Sequence, residues 1–177
     1  MPINVNQMAV TAKTGGESDV FLAVKGQKSG TIKGECTTAG HMDAISVSSW
    51  NWGVSQPTDS STGLAAGRRS YKNLVVLKGV DSASTKLMNA VVNNENVVEA
   101  KLTMCKAGGD PLGYFVMTLN NARVTAVEID VGSDGRPIER VSFAFAKIEV
   151  DYTPQTPDGI GGGATTFSDE WTAPAPP

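Results

Sequence analysis

The 177-residue chain has one histidine, two cysteines and no concentrated charge of either sign. Each shortage excludes a class of function. One histidine, His41, with no Gly-x-Ser-x-Gly elbow leaves no recognisable nucleophile–base pair. Cys36 and His41 lie five apart, but Cys105 is remote and no second ligand pair follows, so zinc-ligand spacing is absent and His41 reads as a turn residue. Two cysteines in a chain this long do not make a disulfide framework, and both read as free thiols of a reducing compartment. No phosphate-cradling loop of the P-loop or dinucleotide type occurs. Asp130, Asp134 and Glu139 flank a glycine turn, but their spacing does not fit a helix-loop-helix calcium site, and solvated turn acids are the expected role. We therefore expect no catalytic residues, no metal and no cofactor.

The net charge is -3 and no run of Lys or Arg forms a stripe, which excludes the usual footprint of nucleic-acid binding. No apolar run approaches the ~18 residues of a membrane span, so no membrane insertion is expected. Residues 1–16 hold one Lys and no apolar core, unlike a secretory signal peptide. Export, if it occurs, is expected by a route that does not read such a signal.

What is present points to strands. Val, Thr and Ser are frequent, and 19 glycines punctuate the chain. Residues 1–18 are polar and aperiodic and read as an arm. Residues 19–25 form a short β-rich run, followed by a glycine-punctuated turn region over 26–34. In the next strand, 44–54, Ile45 and Val47 share one phase whereas Trp50 and Trp52 take the other, which predicts a β-bulge or a strand covered on both sides. The tryptophans could serve as a sugar or base platform, but core packing is the more frequent role. Residues 68–78 return to strand character.

One helix is predicted over 85 to about 93, with Ser84 as N-cap, a stripe of Leu87, Met88, Val91 and Val92, and Asn93 and Asn94 as its stop. At under three turns it has to pack on a sheet. In the strand 97–106, alternation sets Val98, Ala100, Leu102 and Met104 on the core face and Cys105 on the polar one. A glycine turn over 107–111, a strand region over 113–131, a hairpin turn at Gly132-Ser-Asp-Gly135 and a long strand over 138–152 follow. The last strand changes phase between Phe145 and Ile148, with small Ala146 at the switch. Long paired strands with phase shifts predict a curved sheet closing into a barrel. The organisation is thus an arm over 1–18, a mainly β domain over 19–153, and a Gly/Pro-rich tail over 154–177 that holds five of the nine prolines.

Three segments stand in order across roughly residues 19–160: Lys33-Gly-Glu35 with Gly40-His41 and Trp50-Asn-Trp-Gly-Val-Ser-Gln-Pro57; Val80-Asp-Ser-Ala-Ser-Thr-Lys-Leu-Met88; and Leu102-Thr-Met-Cys-Lys-Ala-Gly-Gly109 with Phe143-Ala-Phe-Ala-Lys-Ile148 and Tyr152-Thr-Pro-Gln155. In order and spacing they resemble the haemolysin-coregulated protein (Hcp) family of type VI secretion. Thr85 stands where proline often follows the capping serine, Cys36 and Cys105 replace residues usually serine and basic or polar, and the arm and the proline-rich end are unusual.

The resemblance implies a curved antiparallel β-barrel with one short flanking α-helix, like a phage tail tube. It implies a homo-hexamer, stacked rings, effector proteins held in the lumen, and type VI spike and sheath components as partners. The subunit would assemble in the bacterial cytoplasm and then be secreted through the type VI apparatus. Within that frame the long loop 55–67, poor in apolar residues, is the expected ring-stacking element: Gln56 and Leu64 on the loop, Leu64 as the apolar anchor, and Arg68 and Arg69 as a polar rim. Its alternative is a surface loop without a partner. Ser49 and Asn51, out of phase with the tryptophans, are the expected lumen and effector contacts; the alternative is an ordinary polar strand position. A competing function is a monomeric ligand- or carbohydrate-binding β module that uses the tryptophans.

Overall fold

The computed structural model describes residues 18–106, 113–154 and 162–170. The arm, the turn over 107–111 and most of the tail therefore lie outside the described residues.

Six strands close a barrel in the order β1 (Ser18–Gly26), β3 (Ile45–Asn51), β6 (Leu74–Gly79), β9 (Pro137–Ala144), β8 (Phe115–Val131) and β7 (Val97–Lys106), all antiparallel. Closure depends on β8. Its first half pairs with β7 on one side and with β10 (Lys147–Tyr152) on the other, and its second half pairs with β9. The predicted last strand, 138–152, is thus one continuous partner of β8 that breaks at Phe145 and Ala146, where small Ala146 marks the phase switch. The bend on the β8 side falls at Asn121, at φ 47°, and at a register shift between Val124 and Ala126. Asparagine tolerates this left-handed conformation better than most residues. The corner lets one strand serve two halves of the barrel.

The β3 bulge lies between Val47 and Ser49. Before it Ile45 and Val47 point inward; after it Trp50 and Trp52 do, and both pack against the core. The core is filled by alternating residues such as Leu22, Leu74, Val76, Leu102, Leu119 and Phe143. On β7 the alternation begins one residue off the expected phase. Val97 is buried and Val98 is exposed, because the β1–β7 register shifts at Lys25/Gly26.

Helix α1 (Ser84–Val92) flanks the barrel and buries Leu87 and Ala90, with Val91 alongside. Burial of a leucine this size stabilises by about 1.5–3 kcal/mol. The core stripe is rotated from the predicted one: Val92 is 83% exposed. The cap differs too. The N-cap is Ala83, already in helical backbone geometry, and Ser84 is the first helical residue. Asp81 takes the capping role, its Oδ1 accepting from Ala83 N–H at 3.0 Å, while Ser84 Oγ accepts from Asp81 N–H at 3.0 Å. Asn94, at φ 47°, turns the chain out of the helix as expected.

Gly34 shows why Lys33-Gly-Glu35 needs its glycine: a Cβ there would meet Ala44 O at 2.4 Å and Ile45 Cα at 2.8 Å. The same motif holds the helix start, since Ser82 donates to Lys33 O (3.1 Å) and, through its N–H, to Glu35 Oε1 (3.0 Å).

Candidate assembly site

The expected loop is an ordered hairpin. β4 (Val54–Ser55) pairs with β5 (Ser70–Tyr71), and a bridge joins Thr58 to Ala65. Lys72 N–H donates to Gly53 O and Ala66 N–H to Pro57 O, both at 2.9 Å. Gln56, one of the expected contact residues, bridges the two arms: its Nε2 donates to Gly67 O at 2.5 Å. At the tip, Asp59 Oδ1 accepts from the N–H groups of Ser61 (2.7 Å) and Thr62 (3.0 Å) and from the Ser61 hydroxyl. Hydrogen bonds from Ser61 hold its carboxyl below the usual carboxylate range. Gly63 completes the tip at φ 69°, which favours glycine. Every residue from 54 to 70 is exposed, and Leu64 at the tip reaches 69% exposure. The ladder therefore carries an apolar side chain outward on a backbone whose hydrogen bonds are internal.

The base of the hairpin is tied to β11 (Thr165–Glu170), a strand inside the segment read from sequence as a tail. β11 pairs with β10 along its whole length. Arg69 Nη2 donates to Asp169 Oδ1 at 2.7 Å, Arg69 Nε donates to Oδ2, and the Tyr71 hydroxyl donates to the same carboxylate. Arg69 foremost, and Tyr71 with it, hold the Asp169 carboxyl below the usual range; burial, then the Asp169 contact, pushes the Tyr71 phenol up. Of the two expected rim arginines, Arg69 is engaged within the chain while Arg68 is exposed.

On β3, Ser49 is half-buried and Asn51 exposed, opposite Leu77 and Val75 of β6. Both lie out of phase with Trp50, which stacks on Phe115 with centroids 5.7 Å apart, and Trp52, which stacks on Tyr71 at 6.1 Å. The tryptophans pack inward, so the flat exposed platform that a sugar-binding module needs is not formed.

Two clusters were not expected. Lys78 and Glu139 face each other across β6 and β9 in the barrel interior, both fully buried, with Lys78 Nζ 2.8 Å from Glu139 Oε2, 2.8 Å from Asp81 Oδ1 and 3.1 Å from Ser84 Oγ. They join two sheet strands to the helix start. The signal was legible: Lys78 continues the core phase of Leu74 and Val76, and Glu139 that of Val141 and Phe143. The second cluster lies on the barrel's outer face, where Phe21, Cys36, Ala44 and Cys105 are buried together. His41 stacks on Phe21 at 4.1 Å with its Nε2 3.4 Å from Cys105 Sγ. Cys105 was expected on the polar face; the covering segment 33–44 buries it. Neither cysteine forms a disulfide among the described residues. Among the described residues no three His, Cys, Asp or Glu side chains are placed to hold a metal ion, and no helix is long and apolar enough to cross a membrane.

Comparison with known proteins accounts for this architecture. The family described as "Type VI secretion system effector, Hcp" matches residues 21–152. Protein hcp1 of Pseudomonas aeruginosa is 35% identical over 149 residues, covering 82% of this chain and 89% of the relative. The solved structure of Hcp1 from E. coli EAEC 042 aligns at a TM-score of 0.72 with 26% identity, over 87% of this chain and 99% of that one. Hcp1 from Salmonella typhimurium aligns at 0.70 with 28% identity, over 88% and 95%. With sequence and fold matched over the barrel, its helix and the hairpin between them, the chain belongs to the Hcp family of type VI secretion proteins.

Proposed function

We propose that the chain is a structural, non-catalytic subunit of the type VI secretion tube. Six copies close a ring, rings stack end to end, effector proteins occupy the lumen, and the spike and sheath are its partners in the apparatus. Assembly takes place in the cytoplasm and the protein is then exported. The observation that carries this reading is the hairpin over residues 54–70: internally hydrogen-bonded, exposed at every position, and tipped by Leu64. An ordered element that buries nothing in its own domain is built to meet something else.

Two strand edges also support it. The second half of β8 pairs only with β9 among the described strands, and β11 is the outermost strand of the sheet. Open edges of this kind invite backbone pairing with another copy, and a ring closes when such a contact is head-to-tail and its rotation closes. In this arrangement Leu64 anchors the neighbouring ring and Arg68 forms the rim. Gln56 and Arg69 act from within, holding the hairpin's arms and base. Ser49 and Asn51 on β3 face the lumen and touch cargo.

Negative-stain electron microscopy of the purified protein tests this reading. Wild-type protein should show six-fold rings and stacks of rings, and Leu64→Asp should show rings without stacks. The absence of rings, or equal stacking by the variant, would contradict it.

A further inference from the structure

The chain's two cysteines, remote in sequence, come together in the fold. Cys105 stands on the outer face of β7, directly opposite Asp19 of β1. Cys36 comes from the segment 33–44, which folds back over that face. Its N–H donates to Ala44 O at 3.1 Å, and Asp43 N–H donates to Cys36 O at 2.9 Å, so the segment is a closed turn. Phe21, Cys36, Ala44 and Cys105 are buried as one small cluster, separate from the barrel core. The two thiols thus enter the same cluster from opposite sides, one from the wall and one from its cover.

Their surroundings differ. Cys36 is 7% exposed, the more open of the two, and its Sγ accepts from Thr38 N–H at 3.4 Å. Cys105 is 3% exposed, and its Sγ lies 3.4 Å from His41 Nε2. Stacking on Phe21 fixes that imidazole, with centroids 4.1 Å apart and the rings 9° from parallel. In the tautomer that leaves Nε2 unprotonated, it accepts the thiol proton. The thiolate, not the thiol, attacks a disulfide. A cleft of about 250 Å³ against Gly40, His41 and Ala44 gives a small molecule room beside the turn.

We propose that Cys36 and Cys105 are a modification site, closed into a disulfide staple by a small-molecule disulfide of the glutathione type. In the first exchange Cys36 attacks the small disulfide. A bond forms between Cys36 Sγ and one glutathione sulfur, and the other glutathione leaves as a thiol with the Cys36 proton. In the second exchange Cys105 gives its proton to His41 Nε2 and attacks Cys36 Sγ. The Cys36–glutathione bond breaks, the Cys36–Cys105 bond forms, and the second glutathione leaves with the proton from His41. Two protein thiols are oxidised while one disulfide is reduced to two thiols, so electrons and protons balance. The staple fastens the covering segment to β7, and that segment holds the helix start through Lys33 and Glu35. Cross-linking positions this far apart in sequence restricts the unfolded chain. The timing rests on the proposed export, since thiols stay reduced in the cytoplasm and meet a disulfide-permissive environment outside. The exchange itself needs neither rings nor export, so its failure leaves the tube reading untouched.

Incubating the reduced, purified full chain with oxidised glutathione under native conditions tests the proposal, with intact mass and a non-reducing peptide map as readouts. The expected product is lighter than the reduced chain by two hydrogen atoms, carries a cross-link from Cys36 to Cys105, and returns to the starting mass with dithiothreitol. Its urea midpoint should exceed that of the reduced form. Cys105→Ser should stop at one glutathione on Cys36. His41→Phe keeps a ring on Phe21 but removes the base, so the Cys36 adduct should accumulate while the second exchange slows by about a hundredfold. His41→Gln serves if that variant does not fold. Two thiols that both survive, a separate glutathione on each cysteine, or a cross-link between two copies would overturn the staple. Closure at the wild-type rate without His41 would overturn its role as the base.

Discussion

Replacing Lys78 with methionine should be among the most damaging single changes in the barrel. The substitution keeps chain length and apolar stem but removes the ammonium that faces Glu139 at 2.8 Å and Asp81 at 2.8 Å. Glu139 is fully buried, its Oε1 finds no partner among the described residues, and only the Ser84 hydroxyl would remain as donor to Oε2. Breaking a buried pair from one side costs about 3–5 kcal/mol, because the surviving charge cannot be rehydrated without opening the fold. For a domain of this size each kcal/mol moves the melting temperature by about 2–4 °C, so the expected fall is roughly 6–20 °C. Lys78→Met combined with Glu139→Leu should recover most of that loss, since a matched apolar pair carries no desolvation cost. Urea denaturation at fixed protein concentration, with circular dichroism as readout, measures all three proteins. A single variant within 1 kcal/mol of wild type, or a double variant as unstable as the single, would refute the reasoning.

Three further outcomes follow from other parts of the molecule. Glu95 accepts from Lys28 N–H (2.7 Å), Ser29 N–H (2.7 Å) and Ser29 Oγ (2.6 Å), and the Ser29 hydrogen bonds foremost lower its pKa below the ordinary 4.5. Its stabilising effect is complete above that ordinary value and is lost as pH falls toward the lowered folded value. Glu95→Gln should therefore cost about 1–3 kcal/mol at pH 7 and progressively less on acidification, and a deficit that is the same at pH 7 and pH 3 would contradict this. Replacing residues 58–67 by a short Gly-Ser link should change the unfolding midpoint little, because the segment buries little and loop closure depends weakly on length; hexamers should persist while stacking and secretion are lost, and stacked tubes would count against it. Asn51→Gln should leave rings intact and lower the level of a co-expressed effector, and an unchanged level would remove Asn51 from the lumen contact.

The barrel was legible where burial is one-sided and alternation is clean. The phase change from Ile45 and Val47 to Trp50 and Trp52 marked the β3 bulge, and Ala146 marked the β9–β10 break. The pattern failed where a second layer or a register shift intervenes. Cys105 looked polar-facing because nothing local says that residues 33–44 return to cover it, and Val98 looked buried because the shift at Lys25/Gly26 is set by the partner strand. β11 was unreadable because its residues are mostly exposed; backbone pairing and the Asp169 clamp hold it, and neither leaves a hydrophobic period. Lys78 and Glu139 were readable in phase, yet a charge in a core position looks like an error until its partner is known. Of the residues proposed for assembly, the loop's length and polarity pointed to the hairpin, but the turning of Arg69 toward Asp169 depends on a contact 100 residues away.

The proposed closure of six copies into a ring is tested most directly by light scattering coupled to size exclusion. Six copies of the 18.5 kDa chain give about 111 kDa, and the account predicts that mass, held constant across micromolar concentrations. A stable species at the mass of one chain over the same range would contradict it.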